Sequence, residues 1–169
     1  MDEPRDPEDA EAEYTRAPTI EDLRVICGNL NAEHARYAIL GGMAVNFYGL
    51  VRGTHDIDLL VDDSPENIER VIRAIGRLPD GAALELAPDD LQHYRIVRIN
   101  DEITVDLLAE ACDVDFDQVA GRLVIDDRLG VPMPFLSVED LIRSKQTRRE
   151  KDRQDRTFLE ALLPRERKS

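Results

Sequence analysis

The sequence predicts an α/β fold of the α+β kind: a mixed β-sheet flanked by helices, with further helices at the C-terminus. Three observations predict it. Short apolar, β-branched runs alternate with segments of helical periodicity through residues 19–77, two extended runs meet across a polar break near Asn100, and helical periodicity takes over after Ser137. The 169 residues suit one domain with its own core rather than two independent ones.

Thr19, with Asp22 three residues on, makes a capping-box start, and Ile20, Leu23, Ile26, Cys27 and Leu30 follow at helical spacing, predicting a helix to about Ala35. Tyr37–Leu40 reads as a strand ended by Gly41 and Gly42, and Ala44, Val45, Phe47 and Tyr48 as a helix up to Gly49. Ile57–Val61 is a buried strand, and Ser64-Pro65 is an N-cap and first-turn pair for a helix over 66–77. Tyr94–Ile99 and Glu102–Leu108, separated by Asn100 and Asp101, predict a hairpin with a two-residue turn. An extended stretch covers about Val131–Leu136, Ser137 and Asp140 cap a helix through Lys145, and a last helix runs roughly from Arg149 to Leu163, stopped by Pro164.

Residues 1–18, rich in acids and proline, are expected to be a disordered tail, 19–136 the core, and 137–169 a helical segment packed on it. The N-terminus lacks the basic start and apolar run of a secretory signal. No stretch reaches the roughly 18 apolar residues of a membrane span, so the expected setting is cytoplasmic, without a membrane partner. Cys27 and Cys112 have neither metal-ligand nor redox spacing and are expected to be reduced, mostly buried thiols. A net charge of −14 argues against a protein that coats nucleic acid non-specifically, since Lys and Arg supply most of that affinity. The charge is uneven: residues 1–18 carry seven acids and two bases, whereas 143–168 carry ten bases and five acids, so a local basic face can coexist with an acidic protein.

Asp56 and Asp58 interrupt an otherwise apolar strand two residues apart, which places both carboxylates on one face about 6.6 Å apart along the chain. Asp106 interrupts a second apolar run, and if that strand lies beside the first, about 4.8 Å away, three carboxylates converge. Like charges this close raise at least one pKa unless a cation neutralises them, and hard oxygen ligands call for Mg²⁺ or Mn²⁺. Two such ions about 4 Å apart would activate an attacking hydroxyl and clamp triphosphate oxygens. Standing alone, an Asp-x-Asp pair is as compatible with a strand start and a surface ion pair. Gly41 and Gly42, between a strand and a helix, add a place where backbone N–H groups can approach a phosphate at a helix N-terminus; a glycine pair there also suits a tight turn.

Gly41-Gly42, thirteen intervening residues and then Asp56-Ile57-Asp58 resemble the pattern of the DNA polymerase β-like nucleotidyltransferase superfamily. The stretch ILGGMAVNFYGLVRGTHDIDLLV is most similar to bacterial nucleotidyltransferases of the AbiEii-like group, which includes toxins of toxin–antitoxin systems, and less closely to lincosamide nucleotidyltransferases. Phe135 to Ile142, then Lys145, Arg149, Lys151, Asp152 and Asp155, resemble the group's C-terminal helices, where a lysine and an aspartate join the site. The resemblance covers about residues 19–163.

It implies a polymerase β-like core and transfer of NMP from an NTP to an acceptor with loss of pyrophosphate. Asp56 and Asp58 would be metal ligands, and Asp106 the third carboxylate, also on the metal and activating the acceptor. Lys145 would contact the triphosphate and Gly41 and Gly42 would receive phosphate oxygens, while Arg52 and Thr54 would order the loop before the Asp-x-Asp or touch the nucleotide. Asp152 would join the nucleotide site, although the KDRQD segment equally suits helix-surface ion pairs. The implied partners are an NTP, a tRNA end as acceptor and an antitoxin protein. A small-molecule acceptor, as in antibiotic-type transferases, and a non-catalytic nucleotide-binding module are the alternatives.

His55 abuts the Asp-x-Asp and reads as loop support, and His34 and His93 have no partners at metal-ligand spacing, so no zinc site is expected. The sequence has neither a Walker lysine loop nor a G-x-S-x-G elbow, which removes the P-loop NTPases and the serine hydrolases of that type.

Overall fold

The computed structural model describes residues 15–164, so most of the expected acidic tail, residues 1–14, and the last five residues lie outside it. Helix α1 spans Ile20–Ala32 behind the expected capping box, with Arg16 clamping Asp22 at 2.6 and 2.7 Å. It stops three residues short of Ala35. The His34 N–H reaches Asn31 O and the Ala35 N–H reaches Leu30 O, each at 3.0 Å, while His34 turns left-handed at φ 57°, a Schellman-type closure made without glycine.

Strand β1, Tyr37–Leu40, runs straight into helix α2, Gly41–Phe47, so the glycine pair forms the first helical turn instead of a separate loop. Strand β2 is Asp56–Val61, one residue longer than expected. Helix α3, Pro65–Ile75, starts on its Ser64 cap and ends two residues early at Gly76, whose Cβ position is filled by the Leu84 side chain. Single helical turns at Ala82–Glu85 and Asp90–His93 (α4) lead to β3, Ile96–Asn100, and β4, Thr104–Leu108.

The hairpin between β3 and β4 departs from the expected two-residue turn. Asn100 pairs with Thr104, leaving Asp101, Glu102 and Ile103 in the connection. The Asp101 carboxylate is consumed in bracing this turn, accepting from the backbone N–H groups of Asp80, Ala82 and Glu102 at 2.9, 3.0 and 2.7 Å. The register shifts accordingly, and Arg98 instead of Arg95 stands opposite Asp106.

A two-stranded ribbon of β5, Glu110–Ala111, and β6, Val114–Asp115, turns at Cys112 with φ 49°. One-turn helix α5, Phe116–Val119, and edge strand β7, Val124–Asp126, were too short to register as periodic patterns. Strand β8 is Met133–Phe135. Helix α6 covers Val138–Arg143, leaving Lys145 in the tight turn beyond it, where its N–H reaches Ile142 O at 3.1 Å. Helix α7 runs Glu150–Leu162, with Arg149 at its N-cap position.

Six strands form one mixed sheet in the order β3-β4-β2-β1-β8-β7. Pairs β2/β4 and β1/β8 are parallel, and β1/β2, β3/β4 and β7/β8 antiparallel. Helices α1 and α3 pack together and contribute Leu23, Ile26, Leu30, Ile68, Val71 and Ile75 to the core shared with the central strands. Helices α6 and α7 pack against each other. Helix α7 turns Asp152, Asp155 and Leu159 inward, so its buried stripe is mostly carboxylate. Among the described residues no helix is long and apolar enough to cross a membrane.

Candidate active site

The parallel pairing of β2 with β4 sets Asp58 directly beside Asp106 and Asp56 beside Thr104. Side chains in register on adjacent strands share a face, so Asp56, Asp58 and Asp106 converge, each offering an oxygen within 4.8 Å of the others. They open on a cleft of about 440 Å³ that is also lined by Gly41, Gly42, Arg52, Thr54, Lys145 and Asp152. Every site residue expected from the sequence therefore borders one cavity.

Asp58 also pairs with Leu40 across β1, which brings its carboxylate onto the start of α2. A Cβ on Gly41 would lie 1.9 Å from Asp58 Oδ2, and the Gly41 φ of +68° is one that side chains disfavour, so two independent constraints call for glycine here. At Gly42 the constraint is Thr54, whose Oγ1 would stand 2.8 Å from an added Cβ and which donates to Asp56 O at 2.9 Å. Thr54 thus ties the loop before β2 to the start of the strand that carries Asp56 and Asp58.

Burial, then the Asp106 charge, pushes the Asp56 carboxyl up to about 6. Burial, then the charges of Asp56 and Asp106, pushes Asp58 well above its ordinary value, with Lys145 opposing. A cluster of hard oxygen donors that repel one another fits a divalent cation, which would relieve the repulsion.

Arg98 on β3 is the functional candidate that sequence reading missed. Its Nε and Nη2 donate to the two oxygens of Asp106 at 2.8 and 2.9 Å, and Nη2 also reaches Asp56 Oδ2 at 3.3 Å. A three-residue connection after Asn100 was the signal that would have placed it opposite Asp106.

In the same cleft, the buried Lys145 ammonium lies 2.9 Å from Asp155 Oδ2 and 3.7 Å from Asp152 Oδ1. Asp155 also accepts from Arg52 Nη2 at 2.7 Å, so one buried carboxylate anchors both cations. Among the described residues Asp155 Oδ1 and Arg52 Nε find no hydrogen-bond partner, which marks the network as incompletely satisfied there. Burial would raise the Asp152 carboxyl, yet hydrogen bonds from Thr147 and Arg149 hold it below its ordinary value. Arg52, expected to order the loop before the Asp-x-Asp or touch the nucleotide, borders the cleft and is held by Asp155 of α7, which is also nearer than Asp152 to Lys145.

His55 is exposed at the cleft rim, and His93 lies 3.3 Å from Asp89. Both cysteines are free. Burial pushes the Cys27 thiol up to about 12, whereas Cys112 is only half-buried, borders the cleft and donates to Ser144 O at 3.3 Å. Among the described residues, part of the basic face is engaged within the chain. Arg149 pairs with Asp152 at 3.0 Å, Arg153 with Glu150 at 3.4 Å, and Arg156 donates to the carbonyls of Lys145 and Thr147.

No protein-family model matches this sequence, and no curated protein is similar to it in sequence. Among solved structures, the fold is similar to that of a proposed nucleotidyltransferase from Thermotoga maritima, with a TM-score of 0.54 and 18% identity over 84% of this chain and 92% of that one. The likeness is one of architecture: the six-stranded mixed sheet and its flanking helices share the fold of that structure.

Proposed function

We propose that the protein is a metal-dependent nucleotidyltransferase that moves NMP from an NTP to an acceptor hydroxyl. The observation that carries this reading is the convergence of Asp56, Asp58 and Asp106 beside the Gly41-Gly42 turn, with Lys145 across the same cleft. Mg²⁺ or Mn²⁺ held by the three carboxylates would supply charge neutralisation at the phosphates and a lowered pKa at the acceptor hydroxyl. Asp106 takes the acceptor proton, and the acceptor oxygen forms a bond to the α-phosphorus as the bond to the bridging oxygen breaks and pyrophosphate leaves. Lys145, positioned by Asp155, faces the triphosphate, and the backbone of Gly41 and Gly42 approaches its oxygens at the start of α2. Arg52 and Thr54 hold the loop that borders the nucleotide, and Asp152 orders the Lys145 turn through Thr147 and Arg149. All three carboxylates are present and mutually positioned, which disfavours a degenerate nucleotide-binding module.

The acceptor is the finer question. The toxin-type AbiEii resemblance favours an RNA end, such as that of a tRNA, with an antitoxin as protein partner. Exposed Arg148, Arg149 and Lys151 near the cleft suit a contact confined to that end. The net charge of −14 and the engagement of Arg153 and Arg156 favour a small-molecule acceptor. The deciding experiment incubates the protein with Mg²⁺ and each α-labelled NTP, with and without total tRNA, and separates the products. Label on tRNA that falls steeply with salt and with Lys151→Glu supports the RNA end. Label only on small acceptors supports the alternative, and no label with any NTP or acceptor removes the enzymatic reading.

A further inference from the structure

Arg98 sits where the cation argument leaves a contradiction. The site collects three carboxylates for a divalent ion, yet a guanidinium already spans two of them, engaging both oxygens of Asp106 and one of Asp56. A bidentate, charge-assisted pair of this kind is among the stronger polar contacts a protein makes. An incoming divalent ion therefore meets two obstacles, lone pairs already in use and a like charge a few ångströms away. The guanidinium can leave: its side chain is a third exposed, it borders the cleft, and β3 is an edge strand of the sheet. On leaving it stays tethered at the cleft mouth, and a polyphosphate is the anion that would receive it there.

We propose that Arg98 is a resident counter-cation that competes with free divalent ions for Asp106 and Asp56 and transfers to the polyphosphate when metal and NTP arrive together. This rests on the metal-dependent reading above and adds a coupling to it. Metal and nucleotide bind cooperatively because each relieves what the other leaves unpaired, and by linkage the coupling is the same in either order of addition. Arg98 is then a nucleotide-contacting residue in the cleft that Lys145 also lines, so two cations meet the triphosphate.

The test is Mn²⁺ binding, followed by electron paramagnetic resonance, to the full chain as wild type, Arg98→Gln and Arg98→Lys, with and without a non-hydrolysable NTP analogue. Without nucleotide, Arg98→Gln is expected to bind Mn²⁺ about tenfold more tightly than wild type, since one opposing charge has gone. Arg98→Lys, which keeps the charge but not the two-oxygen clamp, falls between them and serves alone if Arg98→Gln fails to fold by circular dichroism. With the analogue, wild type gains more Mn²⁺ affinity than Arg98→Gln, closing the gap. Unchanged or weaker Mn²⁺ binding by the variants without nucleotide, while wild type binds Mn²⁺ with the analogue, overturns the role of Arg98 and leaves the metal-dependent reading intact. Absence of Mn²⁺ binding in every protein with and without the analogue overturns both.

Discussion

Gly41 and Asp58 occupy positions that exclude any side chain between them: a Cβ on Gly41 would fall 1.9 Å from Asp58 Oδ2, at a backbone φ of +68°. Gly41→Ala must therefore displace the carboxylate or the start of α2. It is expected to cost about 1–3 kcal/mol of stability from the backbone conformation alone and to weaken Mn²⁺ binding. Gly53→Ala, on a loop with open space at its Cβ position, is the control and should be nearly neutral. Urea denaturation and Mn²⁺ titration of the two variants check this, and equal effects would contradict it.

Asp155 is 1% exposed and neutralises both Lys145 and Arg52. Removing its charge leaves Arg52 without its buried carboxylate and Lys145 with only the more distant Asp152, so Asp155→Asn should destabilise by about 3 kcal/mol. Asp152→Asn should cost less, because Arg149, one of its partners, is solvent-exposed. Denaturation midpoints of the two variants decide the order.

Asp56 and Asp58 both titrate above the ordinary range, burial being the largest cause for each. A raised folded-state pKa means the folded protein binds the proton more tightly than the unfolded chain. The cluster's contribution to stability thus declines as pH rises from about 4, the unfolded value, through the folded value near 6 for Asp56. Asp22, held near 2 chiefly by the Arg16 hydrogen bond against burial, acts in the opposite sense, so the variant difference is the informative quantity. In metal-free buffer, Asp56→Asn should gain about 2 kcal/mol relative to wild type between pH 4 and 8, a figure reduced for its partial exposure. Saturating Mg²⁺ with an NTP analogue should erase that gain, and a gain that is flat across pH would contradict the assignment. Asp58→Asn should leave the metal-free protein at least as stable and abolish the rise in melting temperature that Mg²⁺ and nucleotide produce.

Asp101 fixes the hairpin that places Arg98. Its carboxyl is held below the ordinary range because three backbone N–H groups outweigh its burial, and this contribution is present above the unfolded pKa near 4 and lost as pH falls. Asp101→Ala should cost about 1–3 kcal/mol and, by loosening β3, reproduce part of the Arg98→Gln effect on Mn²⁺ affinity. Wild-type Mn²⁺ affinity in a destabilised Asp101→Ala protein would break the link between turn and site.

The carboxylate cluster was legible in the sequence because a polar residue breaking an apolar strand is visible at period 2, and a strand's two faces leave little choice of direction. The capping box at Thr19 and the Ser64-Pro65 and Ser137 starts were legible for the same local reason. What escaped depended on contacts distant in sequence. Asn100-Asp101 looks like a two-residue turn until Asp80 and Ala82 claim the Asp101 carboxylate from some twenty residues away, and Arg98 was lost with the register. Asp152 and Asp155 are indistinguishable in the sequence as partners of Lys145, because only the packing of α7 against α6 determines which acid meets it. The engagement of Arg153 and Arg156 was likewise invisible in a count of charges.

Three carboxylates holding a divalent ion against a nucleotide at Gly41 and Gly42 form the heart of the proposed site. The most direct test is anomalous diffraction from crystals grown with Mn²⁺ and a non-hydrolysable NTP. The expected result is an anomalous peak coordinated by Asp58 together with Asp56 or Asp106, and triphosphate density running between Gly41-Gly42 and Lys145. Nucleotide bound elsewhere on the protein, with no anomalous peak among the three carboxylates, would contradict it.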